Sequence, residues 1–191
     1  MERLLFALVA AVLVSPCSGD HTKFCHGQPC PEYTVVETNE NFEKRSYVAT
    51  SWASTPVEGE DASDLLAAFS RLKAFWDKQK KAGKPLPDSW PVLITRRKAG
   101  GADALSLSWF LPPGSEPEFS DTSVQLEHRA AGTVYVKSFT GTPSLDACQD
   151  IADNLKNALT TAGIAFDSQT STGAFYDSYY SIIHYNEMWF Q

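Results

Sequence analysis

The sequence predicts an α+β domain in which two long helices pack on an antiparallel sheet. Several segments alternate apolar and polar residues, as strands with one buried face do, and two segments place apolar residues at helical spacing. Both kinds of segment recur in the same order in two halves, about 33–111 and 122–190. We interpret this order, β-α-β-β twice, as one pseudo-symmetric domain produced by an internal duplication.

The first 19 residues predict a secretory signal. Arg3 precedes an uninterrupted apolar run over residues 4–14, and small residues follow it up to Gly19. A membrane-spanning helix needs roughly 20 apolar residues, so this run is too short to be an anchor. We therefore expect cleavage after Gly19 and a secreted, extracellular protein with a loop over residues 20–32 and a single domain over residues 33–191.

The composition favours an acidic protein with one core. The chain has 191 residues with 43% hydrophobic content, enough for one substantial core. Its formal net charge is −7, and it has no basic stripe. Because phosphate binding relies on clustered lysine and arginine, we expect no nucleic-acid partner. We also expect no membrane span and a monomer.

Three cysteines follow the predicted signal. Cys25 and Cys30 flank a short turn, and in an oxidising compartment we expect them to form a disulfide. Metal binding with His26 is the alternative, although the spacing matches no complete zinc motif. Cys148 lies on the apolar stripe of the second helix, where we expect a free, buried thiol.

The first half begins with a predicted hairpin formed by Tyr33–Glu37 and Phe42–Trp52. A turn at Ser54–Pro56 leads to a helix from about Ala62 to Ala82. Four residues define the centre of its apolar face, namely Leu65, Phe69, Leu72 and Trp76. Its shoulders are Ala68 with Phe75 on one side and Leu66 with Lys73 on the other. This arc is wider than one sheet contact requires, so the surplus covers a neighbouring helix or lines a ligand groove.

Two strands complete the first half, Val92–Arg97 and Ala104–Phe110. The second of them alternates cleanly, which predicts that Leu105, Leu107 and Trp109 point into the core. A polar linker over residues 112–121 then joins the two halves.

The second half repeats the pattern. Strands at Val124–Arg129 and Thr133–Phe139 and a turn at Gly141–Pro143 precede a helix over Ser144–Gly163. The apolar stripe of this helix contains Leu145, Cys148, Ile151, Ala152, Leu155, Leu159 and Ala162. Phe166–Thr172, an aromatic loop at Phe175–Tyr180 and a last strand at Ile182–Phe190 follow. The motifs Glu-x-Arg, Tyr-Val, Thr-Pro and Ala-Gly occur in the same order in both halves.

Catalytic signatures are few. The chain has no Gly-x-Ser-x-Gly elbow, no His-Glu-x-x-His and no phosphate-cradling glycine loop. These observations favour a binding protein, and we expect no enzymatic activity.

Four segments resemble the SOUL haem-binding proteins: Glu43–Tyr47, Val124–Gly141, Gly173–Ser178 and the closing Asn186–Trp189. The resemblance extends from about residue 30 to residue 190. It implies a distorted antiparallel β-barrel or sheet made of two βαββ repeats with two long helices. It also implies non-covalent binding of haem, or a related tetrapyrrole, between the first helix and the loop before the last strand.

By position, the resemblance implies seven site residues: Leu66, Phe69, Ser70 and Lys73 on the helix, and Tyr180, Ile182 and His184 on the opposite wall. Apolar side chains would cover the macrocycle, and Lys73 would meet a propionate. His184 is the one histidine placed to ligate the iron. Some family members carry a proposed axial histidine where this chain has Ser46, and Trp90 stands where the family favours alanine.

Two alternatives remain open at this point. The same fold resembles effector-sensing domains that bind varied hydrophobic molecules, so a secreted carrier of another apolar ligand fits as well. An extracellular module whose groove holds a peptide is the third possibility.

Overall fold

The computed structural model describes residues 23–99, 102–120, 122–142, 144–178 and 181–191. The predicted signal sequence lies outside these residues. The strands are β1 Tyr33–Thr38, β2 Glu43–Tyr47, β3 Thr50–Val57, β4 Val92–Ala99, β5 Ala102–Leu111, β6 Gln125–Arg129, β7 Gly132–Thr140, β8 Thr170–Phe175 and β9 Tyr185–Phe190. The helices are α1 Ala62–Lys81 and α2 Leu145–Thr161. Within the described residues, no helix has the length and apolar character needed to cross a membrane.

All nine strands form one antiparallel sheet in the order β1-β2-β7-β9-β8-β4-β5-β3-β6. The sheet is curled into a half-barrel, because Tyr47 of β2 and Trp52 of β3 share one buried cluster although five strands lie between them in the sheet order. The predicted α+β class is therefore confirmed.

Two β-α-β-β units, β3-α1-β4-β5 and β7-α2-β8-β9, meet where β4 pairs with β8. The internal duplication itself stays a prediction, because its Thr-Pro match falls on different elements in the two halves. Thr55 and Pro56 lie inside β3, whereas Thr142 follows the end of β7. The predicted turn at Ser54–Pro56 is thus wrong. Proline is tolerated in this strand because β6 pairs with β3 only as far as Ser54, so no partner needs the missing N–H of Pro56.

Helix α1 starts where predicted but presents a different face to the sheet. Asp64 accepts a hydrogen bond from the backbone N–H of Asp61 just before the first turn, and Gly83 takes a positive φ of 76° just after the last. The buried residues are Ala68, Leu72, Phe75 and Gln79, packed over β3 and β5. The predicted centre at Leu65, Phe69, Leu72 and Trp76 is therefore rotated from the observed one.

The rotation has a physical cause. Ala68 is small enough to approach the sheet closely, and Gln79 is held by the linker, since its side-chain amide exchanges two hydrogen bonds with the backbone of Glu118, at 3.0 and 3.1 Å. Leu65 and Trp76 become half-buried at the sides of the contact. Leu66 and Phe69 remain 65% and 41% exposed.

Helix α2 covers β9 and β7 on the same face of the sheet. Ser144 caps its N-terminus by accepting a hydrogen bond from Ala147, and Leu155 and Leu159 are fully buried against β9. Three predicted members of its stripe differ: Ala162 is exposed because the helix ends at Thr161, and Cys148 and Ile151 are only half-buried.

The last two strands are shorter and later than predicted. Residues 166–169 form a turn, in which Asp167 accepts a hydrogen bond from Gln169, so β8 begins only at Thr170 and includes Phe175. Strand β9 begins at Tyr185. Ile182 and Ile183 therefore lie outside the sheet, and their side chains are 99% and 78% exposed.

Candidate ligand-binding site

The outer side of α1 carries an unusual set of exposed residues, which we call the α1 surface: Leu66, Phe69, Ser70 and Lys73. They lie within two turns of the helix, since residues three and four apart share a face. The Ser70 hydroxyl donates to the backbone oxygen of Leu66 at 2.8 Å, so it is already partnered. Lys73 pairs with Asp77 at 3.3 Å, with both side chains more than half exposed. An exposed pair of this kind contributes little to stability and leaves the ammonium free to change partners.

Beneath this surface lies Trp109 of β5. The rings of Phe69 and Trp76 both meet the Trp109 ring edge-on, at centroid distances of 5.2 and 4.8 Å. The indole nitrogen of Trp109 is buried and has no hydrogen-bond partner among the described residues. Trp76 differs, because its indole N–H lies 3.4 Å from the backbone oxygen of Pro87.

Trp109 is the first of four residues that lie in a row across neighbouring strands of the sheet. The register places Trp109, Val92, Phe175 and Asn186 side by side on β5, β4, β8 and β9. Directly paired residues share a face, and neighbouring strands are about 4.8 Å apart, so the row spans about 14 Å between the strands under α1 and those under α2. The Asn186 side-chain oxygen is the second buried polar atom without a partner among the described residues.

The position of the Phe175 ring explains why residue 173, the first of the Gly-Ala-Phe-Tyr segment, is glycine. A side chain added at Gly173 would come within 2.8 Å of the Phe175 ring. The ring therefore lies back over its own strand, and only glycine leaves room for it there.

The opposite wall implied by the family resemblance follows β8. Ile182 is 99% exposed, as a ligand contact would be, but His184 is buried at 4%. Tyr180 lies outside the described residues. His184 is thus not presented at the surface, and a bound iron could reach it only after the segment had moved. The part of the chain that the structure describes holds no group of three or more His, Cys, Asp or Glu side chains able to bind a metal ion.

The N-terminal loop is attached to this same segment. Cys25 and Cys30 form the predicted disulfide, with their Cα atoms 6.2 Å apart, and Phe24 stacks on Tyr185 at 3.6 Å. The ring nitrogen Nε2 of His26 lies 2.9 Å from the backbone oxygen of Tyr176 and 3.1 Å from an Asp177 carboxylate oxygen. The other oxygen of Asp177 accepts the backbone N–H of Tyr185 at 2.6 Å. The disulfide loop therefore fixes both ends of the β8–β9 connection.

The Asn-Glu-x-Trp segment has a structural explanation on the concave face of the half-barrel. Glu187, 1% exposed, pairs with Arg45 at 2.9 Å. Its carboxylate also accepts hydrogen bonds from the side chains of Tyr176, Tyr185 and Trp189, at 2.9, 2.7 and 2.8 Å. The most specific part of the resemblance therefore forms a buried polar network.

Arg45 completes that network. Its guanidinium lies 4.2 Å above the Tyr33 ring and donates to the Tyr47 hydroxyl at 3.2 Å and to Glu43. Burial by itself lowers the pKa of Arg45, but the Glu187 carboxylate raises it above its ordinary value, so the group stays charged.

The same environment keeps the tyrosines neutral. Burial, followed by the charge of Glu187, holds the pKa of Tyr47, Tyr176 and Tyr185 well above its ordinary value. Burial also raises the pKa of Tyr33, to about 12. A crevice beside this network, lined in part by Tyr47, has room for little more than a water molecule. Side chains therefore occupy most of the space there.

The two departures from the family pattern lie away from α1. Ser46 is exposed on β2, and β2 is separated from β5 by β7, β9, β8 and β4. Trp90 packs against the concave-face cluster and meets the His26 ring edge-on at 6.0 Å. Neither residue contributes to the α1 surface.

The fold and this surface define an α+β half-barrel protein with exposed apolar side chains beside a half-buried tryptophan, Trp109. Residues 28–191 match the family model described as SOUL heme-binding protein. The chain belongs to the SOUL family.

Similar proteins agree with this assignment. Over 159 residues the chain is 27% identical to Heme-binding protein 2 of Homo sapiens and 28% identical to that of Mus musculus. Each alignment covers 78% of this chain and 77% of the relative. A solved structure of a hydrolase from Listeria innocua has a TM-score of 0.50 at 10% identity, with 82% of this chain and 94% of that chain covered. At that identity the likeness concerns the fold alone.

Proposed function

We propose that this protein binds haem or a related tetrapyrrole non-covalently against the α1 surface, as a secreted carrier or scavenger without enzymatic activity. Its family and its relatives, which are named heme-binding proteins, support a tetrapyrrole ligand. The proposed location on α1 rests on the exposure of Leu66 and Phe69, which are 65% and 41% exposed and lie beside the cation of Lys73. Exposed apolar side chains rimmed by charge are typical of a ligand surface.

Apolar contact can supply the affinity. Removing about 300 Å² of apolar surface from water contributes about 7 kcal/mol before the cost of association is subtracted. Lys73 adds a charge-assisted contact to a propionate, at the expense of a weak exposed pair with Asp77. Ile182, fully exposed on the opposite wall, adds further apolar area.

Iron ligation is not needed for this binding. His184 is buried, and Ser46 lies on β2, several strands from the strands under α1. We therefore expect haem and metal-free protoporphyrin IX to bind with similar affinity. This expectation also favours a second candidate, a carrier of another apolar ligand, because nothing in the α1 surface selects for iron.

Secretion and a monomeric state belong to the same proposal. The apolar run over residues 4–14 supports export, and the Cys25–Cys30 disulfide is typical of an oxidising compartment. Purification from cultured medium, with N-terminal sequencing beginning at residue 20, would support export; retention in the cell would contradict it.

Haem titration of point variants tests the location. Phe69→Asp should weaken binding at least tenfold, because it places a charge where the macrocycle would lie. Val36→Asp is the matched control, since Val36 is 56% exposed on the distant edge strand β1. Lys73→Glu should weaken binding severalfold, with Lys80→Glu, also exposed on α1, as its control. If Phe69→Asp folds and binds like the wild type, the ligand lies elsewhere.

The spectrum tests the iron ligand. His184→Ala should leave the Soret position of the complex unchanged, because His184 is not at the surface. A shifted Soret band in this variant alone would make His184 an axial ligand and would mean that the β8–β9 segment rearranges on binding.

A further inference from the structure

The buried indole N–H of Trp109 is a polar group that has no hydrogen-bond partner among the described residues. A buried donor without an acceptor costs about 1–3 kcal/mol, and native proteins contain few of them. Phenylalanine would fill most of the same space without that cost. The neighbouring indole, Trp76, differs, because its N–H lies 3.4 Å from the backbone oxygen of Pro87. The unpaired N–H of Trp109 therefore calls for a partner that arrives from outside the chain.

Its position fits an anion held by α1. Phe69 and Trp76 both contact the Trp109 ring, and Lys73 lies between them on the helix, four residues after Phe69 and three before Trp76. The Lys73 side chain is 63% exposed and long enough to follow an acceptor that enters beside these two aromatic rings. Carboxylate is the acceptor that uses both a cation and a neutral donor.

We propose that the Trp109 indole N–H donates a hydrogen bond to a carboxylate of the bound ligand, which Lys73 meets from the helix side. The inference rests on the proposed function and adds to it a chemical class: an apolar ligand that carries at least one carboxylate. Trp109 thereby determines specificity, because a ligand without an acceptor leaves the indole without a partner, as the described residues of the free protein do.

Access requires one side chain to move. Phe69 covers Trp109 edge-on but is 41% exposed, so its ring can change rotamer without opening the core. Leu72 and Phe75, which hold α1 on the sheet, are 0% and 5% exposed and need not move.

The experiment compares two ligands on four proteins. Protoporphyrin IX and its dimethyl ester are titrated into wild type, Trp109→Phe, Trp76→Phe and Lys73→Met, and the affinity ratio of acid to ester is taken for each. The ratio cancels general damage to the site, because both ligands present the same macrocycle. We expect the wild type to prefer the acid, Trp109→Phe and Lys73→Met each to lose about tenfold of that preference, and Trp76→Phe to keep it.

A second readout separates recognition from structure. Without ligand, the far-UV circular dichroism of Trp109→Phe should match that of wild type, so that a changed ratio reports recognition and not a lost fold. The proposal is overturned if the folded Trp109→Phe variant keeps the wild-type ratio. If wild type binds neither porphyrin, the proposed function itself fails. If wild type binds both and Trp109→Phe has the same acid-to-ester affinity ratio, only this inference fails.

Discussion

Replacing Arg45 with methionine should destabilise the fold through the buried carboxylate that it leaves behind. Arg45 and Glu187 are 4% and 1% exposed, and Arg45 is the cation that pairs with this carboxylate. Methionine fills similar space without charge. The three donors that remain on Glu187, from Tyr176, Tyr185 and Trp189, are neutral and cannot replace a cation.

The magnitude follows from the burial of both partners. Removing one member of a buried ion pair costs about 3–5 kcal/mol, because the other charge stays desolvated. Adding Glu187→Gln should recover part of this loss. One amide oxygen would still accept from Tyr176 and Trp189, and the amide nitrogen could donate to the Tyr185 hydroxyl. We therefore expect Arg45→Met with Glu187→Gln to cost less than Arg45→Met alone, with a coupling of at least about 1 kcal/mol.

Urea unfolding at pH 7, followed by tryptophan fluorescence, measures the stability of Arg45→Met, of Glu187→Gln and of the double variant. Arg97→Met is the matched control, because Arg97 is exposed on β4 and its loss should change stability by about 0.5 kcal/mol or less. A loss below about 1 kcal/mol for Arg45→Met, or strict additivity in the double variant, would refute the view that this pair acts as one buried unit.

Three further predictions concern stability. Leu155→Ala should cost about 2–5 kcal/mol in urea unfolding, because Leu155 is fully buried between α2 and the sheet. Raising the pH from 9 to 12 should destabilise the protein, because the unfolded chain releases its tyrosine protons near pH 10 whereas Tyr33 keeps its proton to about pH 12; chemical unfolding at each pH measures this. Replacing Cys25 and Cys30 with serine should cost about 2 kcal/mol from the lost loop constraint alone, and hydrogen exchange should show faster opening of residues 176–178.

Each of these predictions has a result that would contradict it. Asp153→Ala, on the exposed side of α2, should leave stability nearly unchanged, and an equal loss at both positions would mean that the helix face is misassigned. Stability that stays constant from pH 9 to 12 would contradict the protected tyrosines. For the disulfide, unchanged exchange at residues 176–178 would mean that the contacts of Phe24 and His26 hold the loop without it.

Local patterns predicted much of the fold. Both helices and the first strand appear within a few residues of their predicted bounds, because each depends on neighbouring residues and their spacing. The predicted strand Phe42–Trp52 is wrong, because β2 ends at Tyr47 and β3 begins at Thr50. The Cys25–Cys30 pair follows from proximity in the chain. Where local signals were weak the predictions were wrong: Pro56 looked like a turn residue, but an open strand edge accommodates it.

The candidate site was predictable only in part. The wide apolar arc of α1 indicated surplus apolar surface, and Leu66 and Phe69 are indeed exposed. The seven site residues themselves stay a prediction, with Tyr180 outside the described residues. Trp109 was predicted as core, and nothing in its strand pattern signalled an unpaired donor, since hydrogen-bond satisfaction depends on neighbours from other elements.

The sequence by itself determined the class of the fold, the SOUL family and the order of the elements, because periodicity and motifs are properties of the chain alone. Only the tertiary structure decided what those elements face. Ala68 and Gln79 set the rotation of α1, through close approach to the sheet and hydrogen bonds to the linker. Arg45 pairs with Glu187, which lies far away in sequence and two strands away in the sheet. Burial, rotation and pairing of this kind result from the whole chain packing at once, and no local spacing encodes them.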